Sequence, residues 1–324
     1  MRALTIGDQR LADEEPCYVV AELGANHGGH LPTALQMIKI AIQCGVSACK
    51  LQKRENATLY SRALLDQPYD HEHSFGSTYG AHRQALEFGE REYQACRGVA
   101  KAHGKALFAT AFDEASADFL MALGLPAIKI ASGGLTDGTL LRYVSTLGVP
   151  ILLSTGGGTF AAVDRAVNTL TAGRSSFALL HCTAAYPVLD YTELNLRAIV
   201  TMRERYPDTV IGWSGHVSGI AMPLIAYAYG ARLVEMHFTL NRAMKGTDHA
   251  FSLEPAGLRK LCRDLDRAYQ ATGDGIKRLY ESERKPLSKM RRVQTAEGLR
   301  ITGALDVESR ILHALRAGTP FLGH

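Results

Sequence analysis

Residues 17–52 read "CYVVAELGANHGGHLPTALQMIKIAIQCGVSACKLQ" and contain one complete repeating unit of this chain. An apolar run at 17–23 is followed by a segment, 31–45, whose apolar residues recur at helical spacing, and a second apolar run begins at Ala48. Gly45 lies where the helix should end, since glycine readily adopts the left-handed conformation that terminates many helices. The stretch therefore predicts a strand, a helix and a second strand in succession.

The same unit recurs along the chain. Eight short apolar runs with high β propensity are predicted to be strands: 17–23, 48–52, 105–112, 127–132, 149–155, 177–183, 209–214 and 232–239. Segments with helical spacing lie between most of them, such as 159–173 and 219–230, and the last is 255–273. Eight strand–helix units predict an α/β fold of the closed (β/α)8, or TIM barrel, type, because an open doubly wound sheet commonly has fewer strands.

Two segments interrupt this rhythm. Residues 54–90 are too long and polar for a simple strand-to-helix connection, so we interpret them as an insertion over one end of the barrel, between its second strand and second helix. From residue 274 the chain becomes charged and irregular. We therefore predict a TIM-barrel catalytic domain over 1–273 and a short tail over 274–324 that cannot form a stable second domain.

Composition excludes several classes of protein. The chain has 36 basic and 32 acidic side chains, a net charge of +4, and no basic run with interleaved aromatic residues, so nucleic acid is not an expected partner. No stretch approaches the roughly 18 apolar residues of a membrane span. The six cysteines are scattered without a C-x-x-C pair, which is typical of reduced thiols. We expect a soluble cytoplasmic protein.

Polar side chains gather at the predicted carboxyl ends of the strands, where the active site of a TIM barrel lies. A single polar residue at such a position is commonly a hydrogen-bonded core residue, but polar residues at all eight strand ends predict a functional cavity. These residues are Glu22, Lys50, Gln52, Thr110, Lys129, Ser132, Ser154, Thr155, His181, Ser214, His216, Glu235 and His237.

Lys50 and Lys129 lie within otherwise apolar runs. A buried ammonium group is costly unless it meets an anion. Two interpretations remain open: the lysines bind a phosphate or carboxylate substrate, or each forms an ion pair with a nearby acid such as Glu22.

Two histidines end adjacent predicted strands. If the strand "RLVEMHFT" is buried, Glu235 and His237 point to the same side, because side chains alternate along a strand. His216 ends the preceding strand, so the two imidazoles can converge on one divalent cation acting as a Lewis acid. Two histidines with open positions for water and substrate oxygens suit Mn²⁺ or a similar ion, with Mg²⁺ or Co²⁺ as alternatives.

Eight stretches carry a resemblance to a known family: "AELGANHGGHLPTALQMIKIAIQCGVSACKLQ" (21–52), "YGAHRQALEF" (79–88), "FATAF" (108–112), "KIASG" (129–133), "PILLSTGG" (150–157), "LLHCTAAYP" (179–187), "IGWSGHVSGIAM" (211–222) and "EMHFTLNRAMKGTDHAFSLEP" (235–255). In these stretches the chain resembles the sialic acid (N-acetylneuraminate) synthases. Those enzymes condense phosphoenolpyruvate with an N-acylated aldohexose to make a nonulosonic acid. The resemblance covers most of residues 20–260 in the same order.

The resemblance implies a role for each matching residue. Phosphoenolpyruvate would be held by Lys50, Thr110, Lys129, Ser132 and Ser214. The sugar would face Glu22, Gln52, Tyr186 and Asp248. His216 and His237 would bind the divalent metal, with Glu235 beside them as a polar or acid–base group, so that Glu22, Glu235 and Asp248 are the candidate catalytic acids. The family also implies a homodimer and a sugar such as N-acetylmannosamine.

The chain departs from the family pattern at several positions. Gly215 and Gly134 stand where acidic residues are usual, and Ala184 replaces an asparagine. The end of the chain does not match the small antifreeze-like domain, whose arginine reaches the partner's active site, and Arg83 of the insertion is a candidate to replace that arginine. Two alternatives therefore remain: a related enzyme with a phosphorylated or altered sugar acceptor, and a non-catalytic barrel that binds an anionic ligand.

Overall fold

The computed structural model describes residues 2–303. Twelve strands lie within these residues: β1 (Ala3–Ile6), β2 (Gln9–Ala12), β3 (Tyr18–Glu22), β4 (Ala48–Lys53), β5 (Ala106–Ala111), β6 (Ile128–Ile130), β7 (Ile151–Ser154), β8 (Phe177–Cys182), β9 (Val210–Gly215), β10 (Leu233–His237), β11 (Val293–Thr295) and β12 (Gly298–Arg300). Strands β3 to β10 pair in parallel and in chain order, and β10 pairs with β3 to close the barrel. The predicted eight-stranded barrel is confirmed.

Helices follow the barrel strands and cover the outside of the sheet. The α-helices within residues 2–303 are α1 (Leu31–Gln43), α2 (Asn56–Leu59), α3 (Arg62–Leu65), α4 (Tyr79–Leu86), α5 (Glu90–Ala102), α6 (Glu114–Ala122), α7 (Gly138–Val144), α8 (Phe160–Ala172), α9 (Ala198–Arg205), α10 (Ala221–Ala228), α11 (Pro255–Thr272) and α12 (Glu281–Ser288). Most predicted elements are one to three residues too long. The run 127–132, for example, gives only the three residues of β6, because Ser132 already begins a 3₁₀ turn.

The strand register brings polar residues side by side at the carboxyl end of the barrel. These residues lie on alternate positions of each strand and therefore point to one face, the barrel interior. The pairs in register are Glu22 with Lys50, Gln52 with Thr110, Thr110 with Lys129, Ser214 with Glu235, and Glu22 with His237.

The amino-terminal end of the barrel is closed by a hairpin that we did not predict. Strands β1 and β2 pair in antiparallel register, and Gly7 at their turn has a φ of 58°, in the left-handed region. Leu4, Ile6 and Leu11 are buried against the side chains that fill the lower barrel, such as Tyr18. The hairpin escaped prediction because its strands have only four residues each and include polar residues such as Thr5 and Arg10.

The long insertion after β4 forms three short helices, α2, α3 and α4. The chain divides into two compact units, 1–271 and 272–324. The described part of the second unit contains helix α12 and the β11–β12 hairpin, and residues 304–324 of the predicted tail lie outside the described residues. Between residues 2 and 303, no helix combines the length and apolar character needed to cross a bilayer.

Candidate active site

A cavity of about 370 Å³ lies at the carboxyl ends of the barrel strands. Every residue that we singled out as catalytic, substrate-binding or metal-binding lines it: Glu22, Lys50, Gln52, Arg83, Thr110, Lys129, Ser132, Tyr186, Ser214, His216, Glu235, His237 and Asp248. Residues from nearly the whole length of the barrel thus meet in one place.

Two lysines and two glutamates form a buried charge cluster on the cavity floor. Lys50 Nζ lies 2.8 Å from Glu22 Oε2 and 3.6 Å from Glu235 Oε1, and it donates a hydrogen bond to Thr110 Oγ1 at 2.9 Å. Lys129 Nζ has a weaker partner, since it lies 3.8 Å from Glu235 Oε1. Both interpretations of the lysines therefore hold in part: Lys50 is paired with Glu22, and Lys129 is poorly compensated although only 3% exposed.

The charge states in the cluster follow from this geometry. Burial opposes the charging of Lys50, but Glu22 and Glu235 outweigh it and raise the pKa of the ammonium group. Burial lowers the pKa of Lys129, because Glu235 offsets the desolvation only in part. Burial would raise the pKa of Glu235, yet the two lysines outweigh it and hold this pKa at about 2. The floor of the cavity thus carries fixed charges, and one of them, the ammonium group of Lys129, is only partly compensated by a carboxylate.

Hydroxyl groups surround this cluster. Ser214 Oγ donates to Glu235 Oε1 at 3.0 Å, and the backbone N–H of Gly156 donates to Ser132 Oγ at 3.1 Å. Glu235 Oε2 is buried and has no hydrogen-bond partner within the described residues. A buried acceptor without a partner is unusual in a folded protein and indicates a group held ready for a ligand or water.

The two histidines lie on one wall, with ring centroids 5.4 Å apart. His216 Nδ1 is 2.9 Å from the carbonyl oxygen of Thr183. Burial and the neighbouring His237 lower the pKa of His216 to about 4, so its neutral ring donates from Nδ1 and keeps Nε2 free as a ligand. His237 Nδ1 is buried, has no hydrogen-bond partner in the described part of the chain, and lies 3.7 Å from Asp248 Oδ2.

This donor set fits a divalent cation. Two imidazoles line the same cavity; one ring is oriented by a backbone carbonyl, and the other has a buried nitrogen without a hydrogen-bond partner among residues 2–303. Among residues 2–303 no group of three or more His, Cys, Asp or Glu side chains is arranged to hold a metal ion. An ion here would therefore complete its coordination with water or substrate oxygens, as an open catalytic site requires.

The cavity mouth carries residues predicted to face the sugar. Gln52 Nε2 donates to Glu22 Oε1 at 2.7 Å, which aligns both side chains. Tyr186 is 54% exposed, and its ring centroid lies 4.0 Å from that of His216. Partial desolvation in the cavity raises the pKa of Tyr186, so the phenol stays protonated as a donor.

Among the cavity residues that sequence reasoning missed are the basic side chains Arg54 and His82. Arg54 donates to Gln52 Oε1 at 2.6 Å and lies over the ring of Phe112, 3.9 Å from its centroid. Arg54 lies two residues after Gln52 and four after Lys50, so it continues their alternation past the end of β4. We assigned this residue to the insertion and therefore did not recognise the alternation. His82 is buried, and its Nδ1 accepts a hydrogen bond from the backbone N–H of Phe75 at 3.1 Å.

Arg83, proposed from the insertion alone, also reaches the cavity. Its Nε donates to the hydroxyl of Tyr79 at 2.9 Å, and its guanidinium group lies 4.9 Å from the centroid of that ring. Burial lowers the pKa of the neighbouring His82 to about 4, so the imidazole stays neutral beside the arginine. The mouth thus carries two guanidinium groups, those of Arg54 and Arg83.

The departures at Gly215 and Gly134 have a steric explanation. A Cβ on Gly215 would lie 2.1 Å from Cη2 of Trp213, and one on Gly134 would lie 2.7 Å from Cγ2 of Ile130. Neither position can accept a side chain without a shift of its neighbour. Position 215 also shares the face of Trp213, which packs in the apolar layer beneath the helices, so His216 is oriented by the Thr183 carbonyl instead.

Comparison with known proteins shows the family to which this chain belongs. The model of the NeuB family matches residues 37–277. The N-acetylneuraminate-9-phosphate synthase of Homo sapiens is 36% identical over 270 residues, which are 83% of this chain and 75% of the human protein. The N,N'-diacetyllegionaminic acid synthase of Campylobacter jejuni is 35% identical over 283 residues, covering 86% of this chain and 84% of that protein.

A solved structure of a sialic acid synthetase also resembles this chain, in agreement with the family match and the sequence relatives. The crystal structure of N-acetylneuraminic acid synthetase from Leptospira borgpetersenii, in complex with citrate, superposes with a TM-score of 0.77 and 31% identity, covering 88% of this chain and 95% of that one. The relatives are synthases of sialic and legionaminic acids, which agrees with the resemblance seen in the motifs. This chain, with its barrel and its cavity of paired lysines and histidines, is a member of the NeuB family.

Proposed function

We propose that the protein is a metal-dependent, C–C bond-forming transferase that condenses phosphoenolpyruvate with an N-acyl hexosamine, such as N-acetylmannosamine, and releases phosphate. Its membership of a family of nonulosonic acid synthases supports the reaction class. The observation that carries the proposal is the cavity floor, where the under-compensated Lys129 and the ion-paired Lys50 lie below two histidines.

Phosphoenolpyruvate is a trianion that suits this floor. Lys129, which Glu235 compensates only in part, gains a further anion, and Lys50 contributes a second positive charge with its orientation fixed by Glu22 and Thr110. The hydroxyl groups of Ser132 and Ser214 provide further hydrogen bonds for the phosphate or carboxylate oxygens. Fixed donors of this kind stabilise the charge that develops on the phosphate as it leaves.

His216 and His237 are the residues that would hold a divalent ion, with Mn²⁺ our first choice. When bound, the ion acts as a Lewis acid toward the aldehyde oxygen of the open-chain sugar. Asp248, whose Oδ2 lies 3.7 Å from His237 Nδ1, would share in sugar binding and exchange a proton with that oxygen. Tyr186 and Gln52 also line this cavity and would orient the sugar hydroxyl groups.

The bond changes proceed in two stages. The C2=C3 π electrons of phosphoenolpyruvate form the bond from C3 to the aldehyde carbon and leave C2 with positive charge, while the carbonyl electrons move to the aldehyde oxygen, which takes up a proton. Water then adds to C2 and gives up one proton to a carboxylate; Glu235 Oε2, which has no hydrogen-bond partner within the described residues, is suited to orient this water. The C2–O bond to phosphate finally breaks, its electron pair leaves with the phosphate, and the C2 hydroxyl group loses its proton to solvent as the ketone forms.

The test measures phosphate release and 2-keto acid formation with Mn²⁺, phosphoenolpyruvate and a panel of N-acyl hexosamines. We expect turnover with at least one sugar, its loss on chelation or in His237→Ala, and full activity in His103→Ala, an exposed histidine away from the cavity. Phosphoenolpyruvate labelled with ¹⁸O at the bridging oxygen should transfer the label to phosphate. Binding of phosphoenolpyruvate without turnover of any sugar would favour a non-catalytic barrel.

A second acceptor class, a hexosamine 6-phosphate, is favoured by the two arginines at the mouth. Arg54 and Arg83 both line the cavity, and guanidinium groups bind phosphate in bidentate fashion. The synthase from Homo sapiens is named for a 9-phosphate product, and the one from Drosophila melanogaster carries the same name at 40% identity. Adding hexosamine 6-phosphates to the panel of sugars tests whether the acceptor is phosphorylated. If it is, Arg83→Gln should raise the KM for the phosphorylated acceptor and leave the KM for an unphosphorylated sugar unchanged.

We also propose a cytoplasmic homodimer, as the family resemblance implies. Light scattering on the purified protein would give a mass twice that of the 35.2 kDa chain. A monomeric mass together with full turnover would exclude a partner residue from the active site.

A further inference from the structure

A second cavity, of about 600 Å³, lies at the amino-terminal end of the barrel. Its walls are the turn of the β1–β2 hairpin, the end of α5 with the start of β5, and the connection between α6 and β6. Tyr18, the first residue of β3, lines it, whereas the last residue of that strand, Glu22, lies in the active site. The two cavities therefore open at opposite ends of the same barrel.

The second cavity has an excess of positive charge. Arg97, Lys101 and Lys105 line it, against a single carboxylate, Asp8. Arg97 donates to the carbonyl oxygen of Leu123 at 2.6 Å, which holds its guanidinium group at the cavity wall. Neither Lys101 nor Lys105 forms an ion pair with any other residue between 2 and 303. The lining thus offers a local charge of about +2 to a ligand.

A buried hydroxyl provides an independent sign of a ligand. Tyr18 is 1% exposed, and its hydroxyl has no hydrogen-bond partner within the described residues. Leaving a buried donor unpaired is costly, so such groups usually have a partner. Burial raises the pKa of Tyr18, which keeps the hydroxyl protonated and able to donate. Ser47, also in the lining, accepts from the N–H of Val19 at 3.2 Å and retains its own proton for donation.

We propose that this cavity binds a small phosphorylated metabolite through a dianionic phosphate group. Lys101 and Lys105, which have no ion-pair partner within the described residues, match the phosphate charge, and the hydroxyl of Tyr18 gives a directional hydrogen bond. The volume lies in the range of small-molecule sites, so the cavity has room for the organic part as well as the phosphate.

The experiment is calorimetric titration of the full-length protein with inorganic phosphate and with adenosine 5′-monophosphate. Because the active site also attracts phosphate, all variants carry Lys129→Met, which weakens that site. In this background we expect Lys101→Gln with Lys105→Gln to weaken binding about tenfold or more, and Tyr18→Phe to weaken it less. The charge-preserving pair Lys101→Arg with Lys105→Arg should retain binding.

Lys39→Gln is the matched control, since Lys39 is an exposed lysine on α1 that does not line the cavity. Tighter binding of the nucleotide than of inorganic phosphate indicates an ester as the ligand, whereas equal affinities indicate that the phosphate group alone is recognised. An affinity that is the same with and without the Lys101 and Lys105 substitutions overturns the proposal, as does the absence of any phosphate binding in the Lys129→Met protein.

Discussion

At the scale of single residues, Lys50 and Lys129 differ in how their charge is compensated. Lys50 Nζ lies 2.8 Å from Glu22 Oε2, whereas Glu235, at 3.8 Å, is the only ion-pair partner of Lys129 among residues 2–303. Removing one member of a buried ion pair leaves an uncompensated charge and costs about 3 kcal/mol or more. Lys129 is an ammonium group that the fold accommodates poorly without a ligand.

The first prediction follows from this difference. Lys50→Met should lower the free energy of unfolding by about 3 kcal/mol, because Glu22 loses its partner. Lys129→Met should change it by less than about 1 kcal/mol while raising the KM for phosphoenolpyruvate at least about tenfold. Urea denaturation and steady-state kinetics measure both. Equal losses of stability in the two variants would contradict the asymmetry.

Gly215 yields a second prediction at this scale. Gly215→Ala forces a methyl group against the indole of Trp213 and should cost about 2 kcal/mol of stability. Trp213→Phe in the same chain should recover part of the loss, giving a favourable coupling energy in a double-mutant cycle. The control is Gly98→Ala in the middle of α5, where no atom lies within 4 Å of the added Cβ, and stability should rise slightly. An additive cycle would rule out the contact.

At the scale of elements, strand alternation accounts for most of the site. Lys50, Gln52 and Arg54 follow one face of β4 and its extension, and Glu235 and His237 follow one face of β10. This periodicity can be recognised in the sequence. The positions of Arg83 and His82 in the cavity are harder to predict from the sequence, because they depend on the path of the three short helices after β4. The local pattern of apolar and polar residues does not determine that path.

The β1–β2 hairpin is an element whose role is stability. Leu11→Ala should lower the free energy of unfolding by about 2 to 4 kcal/mol, since its 1% exposed side chain closes the lower barrel. Thr5→Ala, at an exposed position of the same hairpin, should change it by less than about 0.5 kcal/mol. Denaturation midpoints distinguish the two, and similar midpoints would show that the hairpin packs too loosely to matter.

At the scale of the whole molecule, five partly or fully buried histidines link stability to pH. Burial is the largest cause that lowers the pKa of each: His27, His82, His181, His216 and His249. The pKa of His27 falls to about 4, from 6.5 in the unfolded chain. Between these values the unfolded state binds more protons, so the stability present at neutral pH is lost as the pH falls through this window.

The free energy of unfolding should therefore decrease steadily between pH 6.5 and pH 4, with His27 alone contributing about 3 kcal/mol. His27→Gln should flatten this dependence, whereas His103→Gln, at an exposed position, should leave it unchanged. Denaturant titrations across this range provide the measurement. A wild-type stability that is constant from pH 6.5 to 4 would mean that these imidazoles are solvated in solution.

Local sequence patterns are sufficient to predict the barrel and most of its cavity, because both rest on periodicity: helices and strands alternate eight times, and polar residues recur at alternate positions of the strand ends. The pairing of the charges depends on the three-dimensional structure, since the distance from Lys129 to Glu235 depends on how the strands of the closed barrel are staggered. The packing of the whole molecule also places the indole of Trp213 where a side chain at position 215 would lie. The same packing brings the β1–β2 hairpin, α5 and α6 together around the second cavity. Contacts between segments distant along the chain arise from the packing of the whole molecule, which no short stretch of sequence encodes.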